Sequence, residues 1–229
     1  MRSRNLAALA LAAALLATGT VGVQSASADA AECPREQYRP TADDLAKYYC
    51  GFKELGPKTL PGNLGHLLDG YARFGGLRPG QFLSWYRDGL DWKYPGDDGF
   101  RDVDGSVDRA DTRIAVDTRL DRFGSPDGRY LSRAGTSFPK RALPPDSLNP
   151  VPGATGAEED SYHCYVVLKQ FDAEQGRIAS AFAQPGDGVQ QYLNDRLKPV
   201  DLGSDRFSVT NLVKHGYLEA RSSATCLDA

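Results

Sequence analysis

The chain has 229 residues, 41% hydrophobic and 25% charged, proportions that exclude a wholly disordered chain, a collagen and a multi-span membrane protein. With 27 Lys and Arg against 30 Asp and Glu, the net charge of -3 lacks the overall basic footprint of a nucleic-acid binder. The 24 Gly and 14 Pro residues argue for many turns and against a helical bundle.

Residues 1–30 read as a secretory signal peptide. Arg2 and Arg4 precede an Ala/Leu run over 6–16, and Ala26-Ser27-Ala28 or Ala28-Asp29-Ala30 supplies a small-residue cleavage site. The apolar run is shorter than the ~20 residues that cross a bilayer. A secreted, extracellular chain is therefore expected, with no membrane attachment after cleavage. In that setting the even set Cys33, Cys50, Cys164 and Cys226 predicts two disulfides, for which three pairings exist. Cys33–Cys50 as a local staple and Cys164–Cys226 as a tie for the C-terminal tail are favoured. The spacing does not suit a zinc site. A nucleophilic Cys164 is disfavoured, because its neighbour His163 points to the other face of a strand.

Residues 31–92 carry helical patterns. Thr41 and Asp44 form an imperfect capping box ahead of Leu45, Tyr48 and Tyr49. Asn63 is a candidate cap for Leu64, Leu67, Leu68 and Tyr71, and a third short helix carries Phe82, Leu83, Trp85 and Tyr86. His66 reads as a packing or surface residue. Residues 93–120 are acidic and Gly-rich. Within them Asp102-x-Asp104-Gly105 invites calcium, but the further ligands of an EF-hand loop are missing, so a solvated turn is expected and no metal site is assigned.

From residue 114 onward strands and turns take over. Runs at 114–120, 162–168 and 178–182 read as strands, 149–160 as a polar loop, and 209–214 as a short helix stopped by Gly216, with Tyr217 and Leu218 opening a last strand. The fold class is α+β: a small curved, mostly antiparallel sheet with a short N-terminal helical lobe. The expected organisation is signal peptide 1–30, helical lobe and acidic linker 31–113, and catalytic domain 114–229.

Hydrolase signatures such as G-x-S-x-G, H-E-x-x-H and the P-loop are missing. What the second half offers instead is arginines and aromatics interleaved with Gly turns. That combination suits a planar, multiply anionic small ligand, since Arg clamps phosphate oxygens and aromatic faces stack on rings. On strand 162–168, His163, Tyr165 and Val167 share one face and Cys164 the other, so a buried disulfide at Cys164 would turn His163 toward a cleft.

The segments LDRFGSPDGRYLSRAGTSFPKRALPPDSLN, YHCYVV, IASAFAQPGDGVQQYL and LVKHGYLE, spanning most of 117–220, resemble the tuberculosis necrotizing toxin domain, a family of secreted NAD+ glycohydrolases. Upstream, GPKTLPGNLGHLLDGYARFGG and WKYPGDDGF resemble the N-terminal lobe of its stand-alone fungal surface members. The resemblance implies cleavage of the nicotinamide–ribosyl bond of NAD+, and of NADP+ as well, with the dinucleotide as substrate and no cofactor. It implies Gln190, Arg122 and His163 as catalytic residues, Arg122 holding phosphates or the nearby ribose. It also implies Tyr130 and Phe138 as walls on the nicotinamide side, Arg141 as a second phosphate contact, and Phe182 among the substrate contacts. Family members usually follow the Gln with an aromatic; here Gln191 and Tyr192 follow Gln190, so a one-residue slip would make Gln191 the catalytic amide. Asp187 in place of Gly and Arg133 in place of Pro are further departures.

The chemistry needs no strong acid, because nicotinamide leaves as a neutral molecule and the transition state is oxocarbenium-like. A Gln amide donates and accepts in fixed directions, which suits positioning ribose hydroxyls or water. Asp121, Asp187, Glu158 and Glu159 are the candidate assisting carboxylates. Protein ADP-ribosylation and a non-catalytic dinucleotide-binding module are the competing functions. A homodimer and an immunity protein remain open as partners; nucleic acid is not expected.

Overall fold

A seven-stranded sheet organises the second half of the chain in the computed structural model, which describes residues 33–34, 39–150 and 161–227. The expected signal peptide, Glu158 and Glu159 lie outside these residues. The strands are β1 (Arg109–Ile114), β2 (Arg119–Phe123), β3 (Tyr130–Arg133), β4 (Tyr162–Val167), β5 (Phe171–Arg177), β6 (Val189–Tyr192) and β7 (Leu218–Arg221). They lie in the order β7-β4-β2-β3-β6-β5-β1, and every neighbouring pair is antiparallel. The α+β expectation is borne out.

Alternation along each strand sorts the side chains to two faces. Leu120, Leu131, Tyr165, Val167, Phe171 and Ala173 leave one face and are covered by Val209 and Leu212 of helix α4 (Val209–Lys214), with Phe207 beside them. Ser208 caps this helix by accepting from Asn211 N–H, and the left-handed Gly216 follows it (φ 70°), as the sequence predicts. Phe123, Tyr162 and Cys164 leave the other face and pack against Leu64, Leu67, Phe138, Leu148 and Cys226. Cys226 lies on the terminal helix α5 (Ser223–Leu227) and is bonded to Cys164; Cys33 is bonded to Cys50. Both favoured pairings are present.

The N-terminal lobe is built from short elements. Helix α1 (Ala42–Lys47) has its capping box, with Asp44 N–H donating to Thr41 Oγ1 at 3.1 Å and Thr41 N–H to Asp44 Oδ2 at 3.0 Å. Yet it buries no residue, so its apolar stripe is not a core face. Residues Gly62–Leu68 form a 3-10 segment after Pro61 rather than an Asn63-capped α-helix. The three-residue repeat of that helix brings Leu64 and Leu67 to the same side. Helix α2 (Pro79–Tyr86) buries Phe82. Phe52, Leu55, Phe74 and Phe82 share a core with Ile178 and Phe182, so the lobe and the sheet form one compact unit, Glu32–Ala229.

Two strand expectations shift, and further strands were not foreseen. The run 114–120 is split between β1 and β2 by a turn in which Asp117 is left-handed (φ 65°). The run 178–182 is a turn, since Phe182 and Ala183 have φ of 51° and 57°, outside any strand. Strands β3, β5 and β6 were not read from the sequence, and β5, with its polar FDAEQGR sequence, is one that apolar content does not reveal.

Candidate active site

One line of register partners crosses the sheet on the disulfide face. Asp121 of β2 faces Ser132 of β3, which faces Gln190 of β6, which faces Gly176 of β5 and then Arg109 of β1. Cys164 flanks Asp121 on the opposite side. Asp121, Ser132 and Gln190 are 0%, 5% and 7% exposed. Consecutive buried polar groups at the centre of a sheet are costly unless paired, so their partners describe the site. They floor a cleft of about 640 Å³, rimmed by Tyr94, Asp98 and Gly99 of the lobe and by Tyr130, Arg141 and the Gly124 turn.

Asp121 accepts a 2.6 Å hydrogen bond from the Tyr162 hydroxyl, and Arg141 Nη1 lies 2.6 Å from its Oδ1 as an ion pair off the hydrogen-bond axis. Burial, reinforced by that carboxylate, raises the Tyr162 phenol well above its ordinary range. The remaining Arg141 nitrogens are also engaged, Nε and Nη2 donating to Thr136 O at 2.8 and 2.7 Å, while the guanidinium stacks over Phe123. Helix α3 (Phe138–Arg141) ends at Ala142 in a left-handed turn and so delivers Arg141 to the floor.

Gln190 Nε2 donates to the Asp98 carbonyl at 3.0 Å. Asp98 sits in a tight turn (φ 55°), and its Oδ2 accepts from Arg109 Nη1 at 3.1 Å. Arg109 also lies 3.5 Å from the buried Glu174, which pairs with Arg196 as well. At the mouth, Tyr130 and Tyr192 stack at 4.8 Å, with Arg129 over Tyr192. Burial pushes the Tyr130 and Tyr94 phenols up to about 12.

The residues singled out from the sequence divide into two groups. Tyr130, Arg141, Arg122 and Gln190 border the cleft; His163, Phe138, Phe182 and Gln191 do not. Arg122 alternates with Asp121 and Phe123, so its side chain leaves the sheet on the reverse side. There Nη1 donates to Tyr130 O at 3.0 Å, and burial lowers the guanidinium pKa. His163, the register partner of Arg122, leaves the same reverse side, and its Nε2–H donates to Gly124 O at 2.8 Å. The cleft therefore opens on the disulfide face and not on the His163 face, which α4 and its neighbours cover. Phe138 is fully buried and meets Phe123 edge-on; Phe182 is fully buried and props Tyr94 edge-on at 5.3 Å. Both brace cleft residues from behind. Gln191 points to the apolar side and donates to Gln175 Oε1 at 3.2 Å.

Of the other carboxylates, Asp187 pairs with Arg101 and Arg177 at the surface. Asp102 Oδ1 accepts the Gly105 N–H at 2.7 Å and closes a hairpin turn, and no group of three metal-ligating side chains occurs among the described residues. Tyr94, Asp98 and Ser132 are cleft residues that sequence reasoning missed. Ser132 was readable in principle, lying two residues from Tyr130 on an alternating strand; Asp98 sits in the WKYPGDDGF segment without a pattern of its own.

Residues 113–220 match the family model described as Tuberculosis necrotizing toxin (TNT). A curated Aspergillus fumigatus protein, conidial surface nicotinamide adenine dinucleotide glycohydrolase nadA, is 39% identical over 150 residues, which are 62% of this chain and 63% of that protein. The match thus spans just under two thirds of the relative's length. Among solved structures, the tuberculosis necrotizing toxin complexed with its immunity factor IFT aligns with 80% of this chain and 85% of its own, at 19% identity and a TM-score of 0.40. Tse6 in complex with Tsi6 aligns with 52% and 89%, at 17% identity and a TM-score of 0.28. The resemblance carried by the segments is borne out over 113–220.

Proposed function

We propose that the chain is an NAD+ glycohydrolase, releasing nicotinamide and ADP-ribose from NAD+ and accepting NADP+ as well. The observation that carries this reading is the buried line of Asp121, Ser132 and Gln190 under a cleft of about 640 Å³, inside the stretch that matches the toxin family model. The named activity of the Aspergillus fumigatus relative supports it.

The C1′–N bond breaks with its electron pair going to the nicotinamide ring, which leaves neutral. Water then adds to C1′ of the ribosyl cation and gives up a proton to solvent. Gln190 orients a ribose hydroxyl or that water, over a floor held in place by the buried Asp121–Arg141 pair. Tyr130 and Tyr94 form the apolar rim that receives the nicotinamide, and Arg122 braces Tyr130 through its carbonyl. His163 acts at one remove, by holding the Gly124 turn. The catalytic body is 114–229, with the lobe of 31–113 closing one wall. Two disulfides and the signal-like N-terminus support action outside the cytosol. Among the described residues no helix is long and apolar enough to cross a membrane. A protein inhibitor, which the family match suggests, is a partner to test.

The test incubates purified, oxidised protein with NAD+ and follows nicotinamide and ADP-ribose by chromatography, alongside Gln190→Ala and Gln191→Ala. Turnover lowered about 10²–10³-fold in Gln190→Ala, to a level still measurable, and retained in Gln191→Ala is expected. Absence of nicotinamide with the wild type overturns the proposal, and label appearing on protein instead of free ADP-ribose converts it to a transferase.

A further inference from the structure

We propose that Asp98, carried by the N-terminal lobe, is a positioning residue for the Gln190 amide, with Arg109 as its tether; this rests on the glycohydrolase reading above. A backbone carbonyl only accepts, so the 3.0 Å contact with Asp98 O commits Gln190 Nε2 as the donor. The amide's other end, Oε1, is then the acceptor available to the cleft that Gln190 lines. A terminal amide torsion is broad and two-fold, so an untethered Gln would offer either end. The lobe removes that ambiguity: with Nε2 held, the group met by the substrate is an acceptor, suited to a ribose hydroxyl or to the attacking water.

The Asp98 carbonyl owes its place to the turn it sits in. Asp98 is left-handed, at φ 55°, between Asp97 (φ 54°) and Gly99 (φ 79°), three successive positive values. Asp tolerates this region better than most side chains, at a cost that surrounding contacts must hold in place. Two side chains reach its carboxylate: Arg109, whose Nη1 donates to Asp98 Oδ2 at 3.1 Å, and Tyr192. Arg109 stands in the same line of register partners as Gln190, with Gly176 between them. It is itself fixed by Glu174 and packs over the Phe100 ring. The chain of contacts therefore runs from the sheet edge, through an ion pair, to a lobe carbonyl and back to the sheet centre.

Three variants separate this role from a structural one. Asp98→Gly keeps the left-handed turn and removes the tether; Asp98→Asn keeps the turn and an oxygen for Arg109. Asp98→Gly is expected to lower kcat about tenfold with KM changed less than about twofold, and Asp98→Asn to stay within about threefold of wild type. In a Gln190→Ala background Asp98→Gly is expected to have no further effect, because its action passes through the missing amide. The Gln190 side-chain amide resonance, assigned by its loss in Gln190→Ala, should move in Asp98→Gly and stay in Asp98→Asn.

Loss of activity in Asp98→Asn equal to that in Asp98→Gly would overturn the proposal in favour of a carboxylate acting directly. Additive effects of Asp98→Gly and Gln190→Ala would also overturn it. If the wild type releases no nicotinamide, the glycohydrolase reading fails; the amide resonance then decides the tether alone, and an unmoved signal in Asp98→Gly rejects it.

Discussion

Replacing Arg141 by Met removes a guanidinium whose nitrogens are all engaged inside the protein. Nη1 neutralises Asp121, while Nε and Nη2 both donate to Thr136 O. The side chains of Arg141 and Asp121 are 3% and 0% exposed, so the variant strands a charge where water cannot reach it. Breaking a buried pair from one side costs about 3–5 kcal/mol. In a domain of this size that cost lowers Tm by about 6–20 °C. The Tyr162 hydroxyl still donates to Asp121 and tempers the loss. Adding Asp121→Asn removes the stranded charge while keeping an acceptor for Tyr162, so the double variant should recover about 2 kcal/mol relative to Arg141→Met alone. Urea denaturation of the oxidised protein, with wild type and the two variants compared at equal m-value, measures these differences. If Arg141→Met costs less than about 1 kcal/mol while KM for NAD+ rises tenfold or more, the guanidinium is a phosphate contact and this assignment is wrong.

Three further outcomes follow from the same structure. Asp146 Oδ2 accepts from Trp92 Nε1 at 2.9 Å, and burial raises its pKa from 3.8 to about 6. The folded state then holds the proton more tightly than the unfolded one, so this contribution is present below about pH 4 and is lost as pH rises through about 6. Asp146→Asn, which preserves the acceptor, should match wild type in thermal denaturation at pH 4 and exceed it by up to about 3 kcal/mol at pH 8; equal stability at pH 8 refutes the cause. A Cβ on Gly176 would fall 1.8 Å from Asp108 O and 2.9 Å from Arg109 Cα, both backbone, so strand β1 must move. Gly176→Ala should cost about 1–3 kcal/mol in urea denaturation, and a loss under about 0.5 would show that the edge yields freely. Gln190→Glu should be nearly inactive at alkaline pH, with an oxygen anion set against the Asp98 carbonyl, and should gain activity as pH falls. The neutral acid restores a donor toward Asp98 and an acceptor toward the cleft. Asp98 meets it and Asp121 and Tyr130 line the same cleft, so the wild-type profile is the control; parallel profiles for variant and wild type refute the reasoning.

Much of this molecule was legible in the sequence where a local rule is strong. The Thr41 capping box, the stop at Gly216, the run that becomes β4 and the presence of two disulfides depend on neighbours in the chain or on an even cysteine count. Illegible were elements whose reason lies across the fold. Strand β5 is polar because Asp172 and Glu174 meet Arg113, Arg109 and Arg196 on the charged side of the sheet edge, which no apolar count detects. Alternation correctly set His163 opposite Cys164, but the side that carries the cleft is decided by what covers each face: α4 on one, the lobe's turns on the other. Phe138 and Phe182 illustrate the same gap, since aromatic character alone does not say whether a ring forms a wall or stands behind it. Asp98 carries no signature, because its carbonyl, not its side chain, touches Gln190.

The line from Asp121 to Gln190 runs at right angles to the strands, along the direction of their hydrogen bonds. Its rungs are therefore about 4.8 Å apart by the geometry of any sheet, whichever residues occupy them. The Cα positions of Asp121 and Gln190 stand two rungs, roughly 10 Å, apart. No substitution can alter that separation; only gaining or losing a strand could. What each rung offers, by contrast, changes with a single codon. Such a floor works as a ruler with fixed gradations and exchangeable marks, so divergence within this architecture alters which group a ligand meets far more readily than where it meets it.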